Sequence, residues 1–385
     1  MFFPAAFYFL VYAAISFLFP FLTLFYQSVG MSGGQIGLLA GLSPLISLAA
    51  GPFWTGTADA TRRHKAILTF AMVGAGSAAL LLSRQTQFGW LVAFLCLYAF
   101  VSAPIFSLVD SATLSMLGER RARYGRVRLW GTVGWGVMAP VAGELIERFG
   151  IQWSFWGYAI LLGIGLFIAL NIPFHQIPAG GSFRSGMRTL LTDRRWMLFL
   201  LMVFFAGVGM SSVNNYLFIY MNGLGAGERL MGLALTVSTL SELPVMFFGD
   251  RLLRRFGARG TLCLAMAVIG LRLLLYSVTR LPWAVLLIQL LHGLTFPAIY
   301  LAGVSYADQS APPGVKASAQ GMFGSALMGF GASAGGLLGG LLLQRLGAAG
   351  MYRSIGLIVW AALLLFASLE RGARGKAQSS ASQSE

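Results

Sequence analysis

Apolar runs of about 20 residues recur along the whole chain, each closed by a short polar or basic segment. Examples are "FLTLFYQSVGMSGGQIGLLAGL" leading into the second run and "WTGTADATRRHK" closing it. A run of that length spans the hydrocarbon core of a bilayer as a helix, because an open strand edge there would leave backbone groups unpaired. The pattern predicts spans near 5–28, 34–58, 66–84, 89–117, 128–146, 153–173, 196–222, 229–253, 260–279, 283–308, 317–344 and 351–369. The opening "MFFPAAFYFL" has no basic leader segment and no small-residue cleavage site, so it reads as the first retained span. The ending "RGARGKAQSSASQSE" reads as a disordered tail. The longest polar stretch separates spans six and seven. The expected organisation is a six-helix bundle over 1–173, a cytoplasmic linker over 174–195, a second six-helix bundle over 196–369 and a tail over 370–385.

Composition strengthens that reading. Charged residues make up 10% of the 385 and AVILMFWYC residues 57%, with a mean hydropathy of +0.76; soluble domains carry about 25% charged residues. The net charge of +15 sits in clusters between apolar runs, which points to lipid headgroups and away from nucleic acid. Nineteen of the 27 Lys and Arg residues fall in loops on one side and six on the other, while Arg128 and Arg272 fall inside spans. Basic loops stay in the cytoplasm, so both termini are expected there, in an inner membrane. Cys96 and Cys263 lie in spans of opposite halves and have no metal-ligand or disulfide spacing. With no phosphate-binding lysine-glycine loop, no H-E-x-x-H and no G-x-S-x-G, ATP drive, cofactor chemistry, metal binding and hydrolysis find no support.

The halves echo each other. "GELIERFG" (143–150) ends span five and "GLLLQRLG" (340–347) ends span eleven. "WTGTADATRRHK" (54–65) follows span two and "FFGDRLLRRFGAR" (247–259) follows span eight. Over nearly its full length the chain resembles the major facilitator superfamily, an all-α integral membrane fold of twelve helices in two pseudo-symmetric bundles. Its Gly56 stands one position closer to Asp59 than that superfamily's loop signature has it. The resemblance implies a gate latch of Asp59 with Arg62 and Arg63. Within the superfamily the likeness is nearest to the oligosaccharide and phenylpropionate proton symporters.

Five ionisable groups lie deep in the spans: Asp110, Arg128, Glu242, Arg272 and His292. A lone charge at mid-bilayer costs about 2.5–3.5 kcal/mol, so such groups pair, line water, or both, and mark function. Asp110 and Arg128 stand 18 residues apart on antiparallel neighbours. In the oligosaccharide symporters an acid and an arginine at that spacing bind sugar, with Gly131, Gly134 and Trp135 matching a following Gly-x-x-Gly-Trp run; the likeness implies that Asp110, Arg128 and Trp135 line a substrate cavity. Arg272 and His292 match the same symporters. Their coupling glutamate is replaced here by Thr295, and Gln289 stands where they have lysine. "QLLHGLTF" resembles the phenylpropionate symporters instead.

Glu242 is then the expected proton carrier, with Arg272 as its charge partner. An unperturbed histidine has a pKa of about 6.5, which makes His292 the alternative carrier. Gln289 and His292 are expected to hydrogen-bond substrate or Glu242. Asn214 and Asn215 either line the cavity or bond between helices.

The sequence as a whole predicts a proton-coupled symporter working by alternating access on a small organic solute. The expected solute is an aromatic carboxylate such as phenylpropionate, bound by Arg128 with Asp110 positioning it and stacked on Trp135, with a sugar or nucleoside as the alternative. A non-transporting membrane sensor or lipid-handling protein is the rival of another class. The expected partners are solute, protons and membrane lipids, no nucleic acid and no cofactor, with a monomer as the working unit.

Overall fold

The structure is a computed structural model; it describes residues 2–117, 124–172, 190–311 and 315–381, without the side chains of 317 and 369–381. The first half contains α1 (Phe2–Ser28), α2 (Gly33–Thr61), α3 (His64–Leu82), α4 (Phe88–Ser102), α5 (Pro104–Leu117), α6 (Tyr124–Phe149) and α7 (Trp153–Ala169). Pro104 separates α4 from α5 within one traverse. The second half begins with α8 (Arg194–Gly223) and α9 (Glu228–Val278), and α9 breaks at Gly257, whose φ of 66° no β-carbon residue adopts easily. Next comes α10 (Ala284–Gln289), which passes through a 3-10 turn (Leu290–Leu294) into α11 (Phe296–Ser310). Finally α12 (Lys316–Gly324) runs through a π-helical turn (Ser325–Gly331) into α13 (Ala332–Ala381), broken at Gly347 (φ 69°).

Eight helical stretches are long and apolar enough to cross a membrane, and two of these, 51 residues each, are double traverses broken at Gly257 and Gly347. With α6 and α7, the described residues make twelve traverses. The helix at the chain end continues to Ala381, where the sequence suggests a disordered tail from 370. Ala, Glu, Arg and Lys there are good helix formers, and no proline interrupts them. Most of the expected 174–195 linker lies outside the described residues, as do Arg120, Arg121 and Arg123.

The two halves meet through α1 on α8, α2 on α13 and the π turn, and α6 on α9. These seams run inward from the face holding the loops near 30, 150, 225 and 347, called here the distal face; the opposite face holds the start of α1 and the end of α13. On one seam Gly33, Gly37 and Gly41 of α2 lie against Gly340, Leu337 and Ser333 of α13, and deeper in Leu48 touches Gly329. On the other seam Gly143 and Gly136 of α6 lie against Glu228 and Thr239 of α9, and Gly232 lies on Ala139. Small residues are what let helix backbones approach this closely in lipid.

Glycine also packs α1 onto α6. A β-carbon at Gly131 would meet the Tyr12 ring at 2.6 Å, and one at Gly134 would collide with the Phe9 carbonyl. Gly125 has nothing within 4 Å. Gly134→Ala is therefore expected to destabilise the purified protein by about 1–3 kcal/mol through overpacking, lowering its thermal unfolding midpoint. Gly125→Ala should leave the midpoint unchanged or slightly higher, since alanine is the better helix former; differential scanning fluorimetry in one detergent compares the two.

Candidate functional site

Each half carries one polar cluster in its apolar interior. In the first half, α5 supplies Asp110, α6 supplies Arg128, and α1 supplies Tyr8 and Tyr12, one helical turn apart. Tyr8 donates its hydroxyl hydrogen to Asp110 Oδ1. Arg128 Nη1 donates to Asp110 Oδ2 at 3.4 Å and to the Tyr124 hydroxyl at 3.1 Å, and Nη2 donates to the Tyr12 hydroxyl at 3.1 Å. A guanidinium only donates, so both phenols accept here and keep their own hydrogens for another partner. The ion pair is half open to solvent, its side chains 40% and 27% exposed for Arg128 and Asp110. The Tyr12 ring rests on Phe106 (centroids 5.1 Å apart). Tyr300 of α11 is half-exposed and within electrostatic range of Tyr12 from the other half. Together these form a collar of hydroxyl donors and aromatic faces around an arginine whose charge is already balanced.

The second cluster is closed. Arg272 is 2% exposed. Its Nη2 donates to Gln289 Oε1 at 2.6 Å and Tyr276 Oη at 3.3 Å, and its Nη1 reaches Thr295 Oγ1 and His292 Nδ1, both at 3.1 Å. Because the guanidinium cannot accept, His292 Nδ1 must, which leaves the ring hydrogen on Nε2. That nitrogen lies 3.0 Å from Glu242 Oε1 and donates to it. The result is a chain from cation through imidazole to carboxylate, with Glu242 and His292 side chains only 13% and 15% exposed.

The local backbone is built for this chain. α10 tightens into the 3-10 turn at His292, and Thr295 leaves helical geometry (φ −106°, ψ −86°). Gly293 lies so close to the Ser241 carbonyl that no side chain fits, and its N–H donates to Ser241 Oγ at 2.9 Å. Irregular backbone at membrane depth survives only where protein or a cavity satisfies it.

Several site residues stand where the sequence does not put them. His292 comes between Glu242 and Arg272, which therefore do not pair directly. Gln289 is 2% exposed and commits its oxygen to Arg272 and Tyr276, so in this state it offers nothing to a solute. The Asn215 side chain donates back to Ser211 O and Ser211 Oγ (both 2.9 Å), while its backbone carbonyl accepts from Thr23 of α1; Asn214 is exposed. Neither asparagine joins Asp110 or Arg128 in the described hydrogen bonds. Trp135 is half-buried two turns along α6 from Arg128, on the same face. Asp59 bonds to His64 at 2.9 Å, and among the described residues not to Arg62 or Arg63. Arg62 takes the left-handed cap position (φ 57°) that turns the chain, which leaves His64, at the start of α3, over the carboxylate. Sequence reasoning missed Tyr8, Tyr12, Tyr124 and Tyr276. The available signal was Tyr8 and Tyr12 at a four-residue spacing in an apolar run, since a buried phenol seeks a polar partner.

A sequence model of the MFS_1 like family matches residues 4–354. The chain belongs to that family, within the major facilitator superfamily. The maltose permease of Geobacillus stearothermophilus is 30% identical over 372 residues, covering 95% of this chain and 94% of that one. The putative nucleoside transporter YegT of Escherichia coli is 22% identical, covering 84% and 80%. A crystal structure of the nucleoside transporter NupG superposes with a TM-score of 0.82 at 16% identity, covering 95% of this chain and 98% of that one, and shares the fold. A bacterial homologue of the lysosomal transporter Spinster, inward-facing and occupied, gives 0.73. As a member of the major facilitator superfamily, the protein is a multi-pass secondary transporter and not an enzyme.

The buried cluster predicts unequal effects of substitution. Gln289→Met removes an oxygen bonded to a buried guanidinium and should cost about 1.5–3 kcal/mol of stability. Asn214→Ala, at an exposed position, should leave thermal unfolding in detergent unchanged.

Proposed function

We propose that this transporter moves a neutral polyhydroxylated solute of the sugar class together with a proton, with Glu242 as the protonated group. The observation that carries the substrate reading is the balanced state of Arg128. Asp110 neutralises it, and Tyr12 and Tyr124 occupy two more of its N–H groups. A carboxylate would have to displace Asp110 from its cation in a half-desolvated site, so the phenylpropionate expectation finds little support here. Sugar hydroxyls and ring oxygens instead accept from the free phenol hydrogens and the remaining guanidinium N–H, while the aromatic faces of Tyr12 and Phe106 suit the C–H face of a pyranose. The name of the 30%-identical relative, a maltose permease, supports the same class.

The proton reading rests on the second cluster. With Glu242 ionised, the chain from Arg272 is neutral as a whole. With Glu242 protonated, a guanidinium only 2% exposed has no anion within its hydrogen-bond network, and a charge left in that condition is expensive. Protonation is therefore favoured only in a conformation that lets water reach Arg272 or lets the carboxylate leave His292. That conditional occupancy is what couples a proton to a rocking cycle.

Two measurements test the reading. In proteoliposomes, Glu242→Gln should abolish accumulation driven by a pH gradient while preserving exchange of internal for external solute. Retained gradient-driven accumulation would refute Glu242 as the proton site. In a thermal-shift panel of maltose and other sugars, nucleosides and aromatic acids, a sugar should stabilise the wild type, and Arg128→Lys should lose the shift by at least ten-fold in concentration. Stabilisation by aromatic acids alone would restore the carboxylate reading, and stabilisation by nucleosides alone would move the substrate to that class.

A further inference from the structure

The distal ends of the two seams share a detail that neither the polar clusters nor the substrate reading uses. In the repeated segments "GELIERFG" and "GLLLQRLG", Glu147 and Gln344 occupy equivalent positions, four residues after Gly143 and Gly340 and three before Gly150 and Gly347. Both trailing glycines have positive φ, 92° and 69°. Glu147 Oε2 accepts from the backbone N–H of Arg229 at 2.8 Å, and Gln344 Oε1 accepts from the backbone N–H of Gly34 at 2.8 Å. Arg229 and Gly34 are each the second residue of a helix, α9 and α2, in the opposite half of the protein. The N–H groups of a first helical turn have no partner inside the helix, and a side-chain oxygen normally comes from the helix's own cap residue. The cap residue of α9 is Gly227, which has no side chain to offer. A β-carbon at Gly227 would lie 2.6 Å from Glu147 Oε2, and one at Gly34 would lie 2.6 Å from Gln344 Oε1. The receiving helices are thus cut back on both sides to admit a cap from the partner half.

We infer that Glu147 and Gln344 are positioning residues for the transport cycle: a pair of trans helix caps that hold the distal gate shut and release when the halves separate there. Each cap exists only while the two halves touch. Opening the distal face withdraws both trans caps together, leaving α9 with no side-chain cap and α2 with its own Ser32–Gln35 capping box but a free Gly34 N–H, so cap strength enters the equilibrium between the two access states directly. The nearby charges do not account for the closure. Glu144 lies 2.5 Å from Arg148 on its own helix and 3.4 Å from Arg229, but both arginines are 68% exposed, where such pairs add little. The two sides also differ. The carboxylate of Glu147 meets the positive end of the α9 dipole, whereas Gln344 offers a neutral amide.

The test uses full-length protein with Cys96 and Cys263 replaced by serine and spin labels on cysteines at Thr86 and Leu281, exposed sites in distal loops of opposite halves. Electron double resonance then reads the ratio of distal-open to distal-closed molecules in nanodiscs. Glu147→Ala and Gln344→Ala should each raise that ratio about five-fold, the usual worth of a lost cap, and the double variant by roughly the product. Glu147→Gln keeps an acceptor oxygen and should stay nearer the parent than Glu147→Ala. Gln344→Glu should lower the ratio, a gain that misfolding cannot imitate. Unchanged ratios in both alanine variants would overturn the inference, and so would a Glu147→Gln ratio equal to that of Glu147→Ala, which would assign the effect to charge instead of capping.

Discussion

A guanidinium sealed inside an apolar bundle is the constraint around which the second half is organised. Arg272 is almost wholly buried, and a cation there must be met by hydrogen-bond acceptors and by charge. No carboxylate touches it among the described contacts. Three neutral oxygens, from Gln289, Tyr276 and Thr295, and one imidazole nitrogen do so instead. Bringing Gln289, His292 and Thr295 to one arginine from a single span is impossible for a straight α-helix, in which residues three apart share a face but six apart do not. The 3-10 turn at 290–294 and the bend at Thr295 provide the needed rotation, and Gly293 lets that turn sink against α9. The irregular backbone thus follows from the demand of one buried charge.

The first half solves the same problem in the opposite way. Arg128 meets its carboxylate directly and keeps solvent access, with phenols filling the rest of its donor set. An arginine balanced in place yet still half-exposed is suited to hydrogen-bond a neutral solute without binding an anion tightly. Arg272, held through an intermediate ring, is suited to sense whether its distant carboxylate is charged. The contrast lies in how each cation reaches its acid, through contact or through His292, and on the proposed reading it divides solute recognition from proton linkage between the halves.

Much of the fold was legible because hydrophobic run length and loop charge are one-dimensional signals. The twelve traverses follow from counting along the chain. Asp110 with Arg128, and His292 with Arg272 and Glu242, could be singled out because charges in apolar runs are rare. Their connectivity could not. That His292 separates Glu242 from Arg272 depends on the 3-10 turn; Pro297 announces a break in this span, but not the way the turn rotates His292. Asn215 turning back on Ser211, and Asp59 choosing His64 over two arginines beside it, are decided by helix rotation and by the left-handed Arg62, and spacing alone carries neither. The tyrosines were missed because a phenol in an apolar run reads equally well as core.

The two clusters sit in different halves, so any coupling between them must pass through the surface where the halves meet. That surface has an arrangement suited to the task. Gly136 of α6 packs on Thr239 of α9, and Thr236 donates to the Gly136 carbonyl at 2.8 Å. Arg128 lies eight residues before Gly136 on α6, and Glu242 lies three residues after Thr239 on α9. One seam thus joins the helix that holds Arg128 to the helix that holds Glu242, the two residues given the solute and proton roles in the proposed function. On the proposed reading, rocking the halves about this seam would change the water exposure of both clusters at once, because neither helix can tilt without carrying its charged residue. Small residues at this depth make the tilt feasible, since α6 and α9 touch here through backbone and two threonines, and the long side chains of Glu144, Glu147 and Arg229 meet only at the distal end of the seam. If the two clusters are coupled as proposed, the glycine at 136 belongs to that path as much as the ionisable groups do, since its lack of a side chain is what lets α6 and α9 meet there.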